Sequence, residues 1–249
     1  MTSGVISVPF FMGEQMDGFT VPHRRPTVLE ADLGNGTPTE QMARLYRRLA
    51  STVSRVQRPL IYAGDCCSII GVAAGLQRRG EDPTLVFFDA HGDFNTWETT
   101  PSGFIGGMPL AMAVGRGEQT IVAGAGMRTL REDRVALIGA RALDPGEDEA
   151  VASSGLAVLA VSDIPAWPVP RGDLYVHVDV DVVDPSDMPA VNYPSPGGPS
   201  LAEVREAVDA LVATGRVAAL SLSCWNPQLP GADRAAASAA ALTASYLLG

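Results

Sequence analysis

Lysine is missing from this chain: all 18 positively charged side chains are arginine. That excludes chemistry through a lysine Schiff base. Cysteine is scarce, with Cys66, Cys67 and Cys224 in 249 residues. An odd, small count provides no disulfide framework for a chain of this length, and it fits a reducing, cytoplasmic setting. No apolar run approaches the roughly eighteen residues of a membrane-spanning helix. The opening stretch "MTSGVISVPFFMGEQ" has neither the basic start nor the long apolar segment of a secretory leader. Positive charge is in deficit overall: the formal net charge is -10 at pH 7 and no basic cluster stands out. A nucleic-acid partner is therefore not expected, nor a membrane.

Hydrophobic residues are plentiful, at 46%, enough for a large core. Apolar, β-branched runs alternate with helical patterns along the chain. The runs predict strands over 4–10, 58–64, 84–90, 134–140, 156–161, 173–182 and 216–225. Helices are predicted over 38–56, 68–79, 108–115, 145–154, 200–214 and 233–248. Ser200 followed by Glu203 is a capping-box pattern that starts the helix at 200. Strands apolar throughout and alternating with helices predict a parallel sheet covered on both faces. Neither an internal repeat nor a low-complexity linker interrupts the pattern, so residues 1–249 are expected to form one domain.

The chemistry-bearing residues gather where strands are predicted to end. "DAHGDFN" places Asp89, His91 and Asp93 two residues apart, and "DVDVV" places Asp179 and Asp181 two apart on an apolar strand. Residues two apart in a strand share a face. A buried carboxylate without a partner costs several kcal/mol or gives up its charge, and no arginine lies between Tyr175 and Asp184. Four carboxylates and one imidazole suit a divalent ion such as Mn²⁺, or Zn²⁺ or Fe²⁺. The counter-charge expected here is metal. Such ions lower the pKa of bound water toward neutrality and make hydroxide available.

Three segments together resemble the ureohydrolase family of arginases, agmatinases and formiminoglutamases. "DAHGDFN" (89–95) resembles the family's Asp-Ala-His-x-Asp-x-Asn segment. "DVDVVDPSDMPAVNYPSPGG" (179–198) resembles its Asp-x-Asp-x-x-Asp-Pro segment. "AGDCCSIIG" (63–71) resembles its Gly-Gly-Asp-His-Ser segment. The likeness spans residues 58 to 227. It implies a three-layer α/β/α sandwich with a mostly parallel central sheet, of the kind arginases and deacetylases share. It also implies two Mn²⁺ ions, a homo-oligomer (trimer or hexamer), and hydrolysis of a linear C–N bond in a guanidino, amidino or formimino compound by a metal-activated hydroxide. By the same resemblance, Asp89 and Asp179 bridge two ions, His91 and Asp181 complete one site, and Asp93 helps complete the other and serves in catalysis.

Three positions depart from the family pattern. Cys66 stands where the family has a metal-binding histidine, Gly106 where arginases carry a proton-shuttling histidine, and Cys224 where the family holds the guanidinium with a glutamate. Two repairs of the altered metal site are open: Cys66 as a thiolate ligand, which favours a softer ion, or His177, two residues before Asp179. His177 is also a candidate general base. Asn95, Trp97, Cys224 and Trp225 are candidates for the substrate wall, and Glu98 or Asp184 for the missing glutamate. Without that glutamate a guanidinium binds more weakly by ~2–5 kcal/mol. Arginine and agmatine are thereby weakened as substrates. A single-ion amide hydrolase in the style of the related deacetylases, and a metal-free assembly or regulatory protein, are the competing readings.

Overall fold

The computed structural model describes residues 4–248. Eight strands form one wholly parallel sheet: β1 (Val5–Val8), β4 (Thr27–Val28), β5 (Leu60–Ala63), β6 (Thr84–Phe88), β7 (Val135–Ile138), β8 (Ala157–Leu159), β9 (Leu174–Asp179) and β10 (Val217–Ser223). Their order across the sheet is β4-β1-β5-β10-β9-β6-β7-β8. A small antiparallel pair, β2 (Phe10–Phe11) and β3 (Glu14–Gln15), follows β1. The helices are α1 (Pro38–Val53), α2 (Ser68–Arg78), α3 (Pro109–Ala113), α4 (Thr120–Ala125), α5 (Glu147–Ala152), α6 (Leu201–Ala213) and α7 (Ala232–Leu248).

Alternation along the central strands divides the core in two. On β9, Leu174, Val176 and Val178 join a cluster with α6 and α7, while Tyr175 joins the opposite cluster with α1 to α4. Both clusters are fully buried, as expected for strands apolar on each face. The result is the three-layer α/β/α sandwich. Helix α1 starts at Thr37, which accepts from the Glu40 amide while Glu40 returns a hydrogen bond to the Thr37 amide; Pro38 pre-sets the first turn. The predicted Ser200–Glu203 box caps α6 in the same reciprocal way. Among the described residues no helix is long and apolar enough to cross a membrane.

The last strand in sequence, β10, sits between β5 and β9 near the centre of the sheet. The chain thus changes direction of growth across the sheet here, and a crevice opens above the carboxyl ends of these strands. Open parallel sheets bind their ligands at such crevices.

Two local expectations are corrected. The strand predicted over 173–182 ends at Asp179, and Val180–Val182 forms a 3₁₀ turn. Asp179 and Asp181 therefore do not share one strand face. Asp179 caps that turn by accepting from the Asp181 amide at 3.0 Å, which swings the Asp181 carboxylate toward β6. Helix α4 and the two-residue strands were not predicted, because each is too short for its periodicity to be read.

Candidate metal centre

Each ionisable side chain of the crevice is aimed by backbone just past a strand end. After β6, the His91 amide donates to Asp89 Oδ1 at 2.7 Å, and the Ala90 amide donates to Asp181 Oδ1 at 3.2 Å. These bonds lock the two carboxylates over the same turn. His91 Nδ1 lies 3.3 Å from Asp89 Oδ1 and 3.1 Å from Asp181 Oδ2. Ser195 Oγ sits 3.3 Å from the other ring nitrogen, Nε2, and fixes the ring plane. Asp89, His91 and Asp181 each offer one donor atom within 4.8 Å of the others. Buried Asp89 Oδ2 has no hydrogen-bond partner among the described residues. Two oxygens, one nitrogen and an orphaned buried carboxylate oxygen fit a hard or borderline divalent ion.

A second group lies beside the first. Cys66, Asp179 and Cys224 also offer donor atoms within 4.8 Å of one another. Cys66 follows β5 and Cys224 follows β10, so β10's place next to both β5 and β9 brings the set together. Cys224 has φ of +76°, in the left-handed region. A non-glycine residue there stores about 1–3 kcal/mol of strain. The turn sends the Cys224 thiol into the crevice and Trp225 to the opposite face. Asp93 also has positive φ, +49°, and the Leu110 and Ala111 amides at the start of α3 hold its carbonyl. Its buried Oδ2 is without a partner among the described residues.

The carboxyls crowd one another. Burial, then the charges of Asp93 and Asp181, push Asp89 well above the usual carboxylate range. Burial, then Asp181 and Asp89, does the same to Asp179. Burial raises Asp93 to about 8. Burial works against a charged His91, but hydrogen bonds to Asp181 and Asp89 outweigh it and hold its pKa at about 11. Among the described residues no arginine lines the crevice, but the Arg141 guanidinium lies behind it, donating to the Asp181 carbonyl at 3.1 Å.

These residues floor a cavity of about 260 Å³. The structure brings Cys66, Asp89, His91, Asp93, Asn95, Asp179, Asp181 and Cys224 together on its lining. It leaves five predicted residues outside. His177 pairs in register with Ser221 and Phe87, one pleat deeper in the sheet. Its Nδ1 meets Ser221 Oγ at 2.7 Å and its Nε2 meets Ser223 Oγ at 3.2 Å, with the ring stacked on Phe87 at 4.9 Å. Burial lowers its pKa to about 3 and keeps it neutral. It has no access to the cavity as a ligand or base. Trp225 is buried on the other face, stacked on Phe19. Trp97 is exposed and donates to Glu118. Glu98 and Asp184 also stay outside, held by Thr96 and by the Ser186 and Gly197 amides.

Several lining residues escaped the sequence reading, Asp144, Glu147 and Phe104 among them. Asp144 and Glu147 lie in "ALDPGEDEA", just after β7, which had been read only as a helix start. They lie six and nine residues past the end of β7, beyond the reach of the rule applied to β6 and β9, acids at the end of a parallel strand. Asn95 Nδ2 donates to Asp144 Oδ2 at 2.9 Å, and the Phe94 and Asp144 amides occupy the two oxygens of Glu147. The third is Phe104. A Cβ at Gly106 would lie 2.3 Å from its ring, so Phe104 fills the volume that a larger side chain at 106 would need.

Known proteins share this arrangement of strands and segments. The arginase family model matches residues 19–249. Arginase from Bacillus caldovelox is 32% identical over 222 residues, covering 82% of this chain and 74% of that protein. N(omega)-hydroxy-L-arginine amidinohydrolase from Streptomyces lavendulae is 32% identical over 166 residues, covering 61% and 56%. The solved structure of arginase from Bacillus subtilis subsp. subtilis str. 168 superposes with a TM-score of 0.82 at 27% identity, covering 98% of this chain and 97% of that one. With the sheet order, the carboxylate segments and this match over nearly the whole length in agreement, the chain belongs to the arginase family.

Proposed function

We propose that this protein is a metal-dependent hydrolase of a linear, non-peptide C–N bond in a guanidino, amidino or formimino compound. The observation that carries the reading is the convergence of Asp89, His91 and Asp181 at the cavity floor, with a buried carboxylate oxygen left unpartnered. These three, with Asp179 alongside, would hold a Mn²⁺ ion. When bound, the ion supplies Lewis acidity and lowers the pKa of water.

The chain's own residues do the rest. The β6 and β9 turn amides orient the Asp89 and Asp181 carboxylates, and Ser195 orients the imidazole. Asp93 lines the cavity with a free buried oxygen and is placed to take up or release a proton there. Asp144, held by Asn95, presents negative charge on the wall. It favours a substrate whose far end is cationic or rich in N–H donors. Phe11, Phe104 and Tyr193 form an aromatic flank, with ring centroids 6.4 Å and 5.4 Å apart in sequence. This flank suits a flat, delocalised group.

A second reading, amide hydrolysis with a single ion, is favoured by the absence of an imidazole at position 66. Both readings require metal. The test is release of ammonia, urea or free amine from guanidines, amidines, formimino compounds and amides, using protein stripped by chelation and reloaded with Mn²⁺, Zn²⁺ or Fe²⁺. Metal-restored turnover on the first three classes supports the proposal. Turnover on amides alone transfers it to the second reading, and turnover unaffected by chelation overturns both.

A further inference from the structure

We infer that Cys66 and Cys224 act together as a bis-thiolate metal site with Asp179, so that the second half of the centre takes a soft ion such as Zn²⁺ rather than Mn²⁺. The two cysteines occupy two separate departures from the family pattern, one at a ligand position and one at a substrate position. Taken singly, each is a loss. The fold joins them: β10 lies beside β5 and β9, and both thiols face the same point as Asp179. Their sulfurs and an Asp179 carboxylate oxygen all lie within 4.8 Å of one another. The Cys66 thiol donates to the Gly106 carbonyl at 3.5 Å.

A second observation points to a cation. Asp93, only 5% exposed, lines the same cavity as Cys66, Asp179 and Cys224 and keeps Oδ2 buried without a partner among the described residues. An aspartate oxygen is thus available beside two sulfurs and the Asp179 carboxylate. Two thiolates with oxygen ligands suit Zn²⁺ and Cd²⁺ and discriminate against Mn²⁺, which prefers oxygen and nitrogen. The adjacent group of Asp89, His91 and Asp181 keeps that harder character. The centre therefore has one hard and one soft half. On binding, each S–H bond breaks, its electron pair stays on sulfur to bond the ion, and both protons pass to solvent. Cys224 is then a ligand and no longer contacts the substrate directly. Cys67 takes no part: its thiol points to the Ile105 carbonyl, 3.9 Å away.

The inference concerns the second ion and does not depend on the protein being a hydrolase. It is tested on the full chain with Cd²⁺ as the probe, by near-ultraviolet thiolate-to-metal charge-transfer absorbance and by ¹¹³Cd NMR. Wild-type protein should show the absorbance at one Cd²⁺ per chain, with a resonance in the two-sulfur range. Cys66→Ser and Cys224→Ser should each weaken Cd²⁺ binding by more than about 100-fold, since even a hydrogen-bond partner of a ligand is worth 10–100-fold. Cys67→Ser and His91→Ala should retain the absorbance. His91→Ala should at the same time lose Mn²⁺ binding and any turnover, which separates this test from that of the hydrolase reading. Absent absorbance in the wild type, or its survival in the Cys66→Ser/Cys224→Ser double variant, overturns the inference. Because the NMR resonance reports ligand type in the wild type, an oxygen-only shift overturns it even if the variants misfold.

Discussion

Gly106 shows how one position shapes its neighbours. With no side chain there, the Phe104 ring closes over the backbone and joins the aromatic flank. Gly106→His should therefore overpack the site and cost about 1–3 kcal/mol, read as a lower denaturation midpoint. Shortening the ring in a Gly106→His/Phe104→Ala pair should recover part of that loss, and a pair as unstable as the single variant would contradict the packing account. His177 makes the opposite case. Sequence position alone put it beside the metal ligands, because two residues along a strand lie on one face. The register instead gives both its nitrogens to serine hydroxyls. His177→Leu should leave the Ser223 hydroxyl unpaired, with Ser221 kept only by the Tyr175 hydroxyl, and cost about 1–3 kcal/mol. Metal content and the pH dependence of turnover should stay as in the wild type; a lost limb of the pH profile would restore His177 as a base. The acids of the centre were legible because a run of buried carboxylates needs an explanation. Cys224 as a partner of Cys66 was not, because nothing local in sequence says that β10 inserts between β5 and β9.

At the scale of elements, strands and most helices were legible from their apolar patterns, with the six-residue α4 the exception. The seven predicted strands all occur, trimmed at their ends where the backbone leaves the ladder. The ends are where function lies, and their geometry is decided by turns too short to leave a periodic signal. The 3₁₀ turn at Val180–Val182 is the clearest example, since it decides which ion group Asp181 joins. Helix α6 offers a test of the local logic well away from the site. Ser200 accepts from the Glu203 amide and Glu203 returns to the Ser200 amide. Ser200→Ala should lower stability by about 1 kcal/mol with turnover per folded molecule unchanged. A stability loss near zero would show that packing alone starts the helix.

For the whole molecule, the centre gathers negative charge in a protein already at -10. Without metal that crowding should appear in the pH dependence of stability. Asp93 is raised to about 8 and His91 to about 11, while Asp89 and Asp179 are raised well above the carboxylate range. In each case the folded state keeps protons that the unfolded chain has lost, so stability falls as pH rises through the window. Buried neutral His177 acts in the opposite sense, but only below its unfolded pKa near 6.5. Metal-free protein should therefore be less stable at pH 8 than at pH 6.5 by chemical denaturation. Saturating Mn²⁺ should shrink that difference and raise the midpoint, by about 2.7 kcal/mol of stability at a hundred times the dissociation constant. A metal-free protein equally stable at both values would show that the carboxyls are not crowded in solution.

The most direct measurement is a crystal structure of protein soaked with Mn²⁺, with anomalous scattering recorded at the manganese edge. The account predicts an anomalous peak bounded by Asp89, His91 and Asp181, with both aspartates turned toward it. An empty crevice at saturating Mn²⁺, its carboxylates satisfied by protein donors instead, would contradict it.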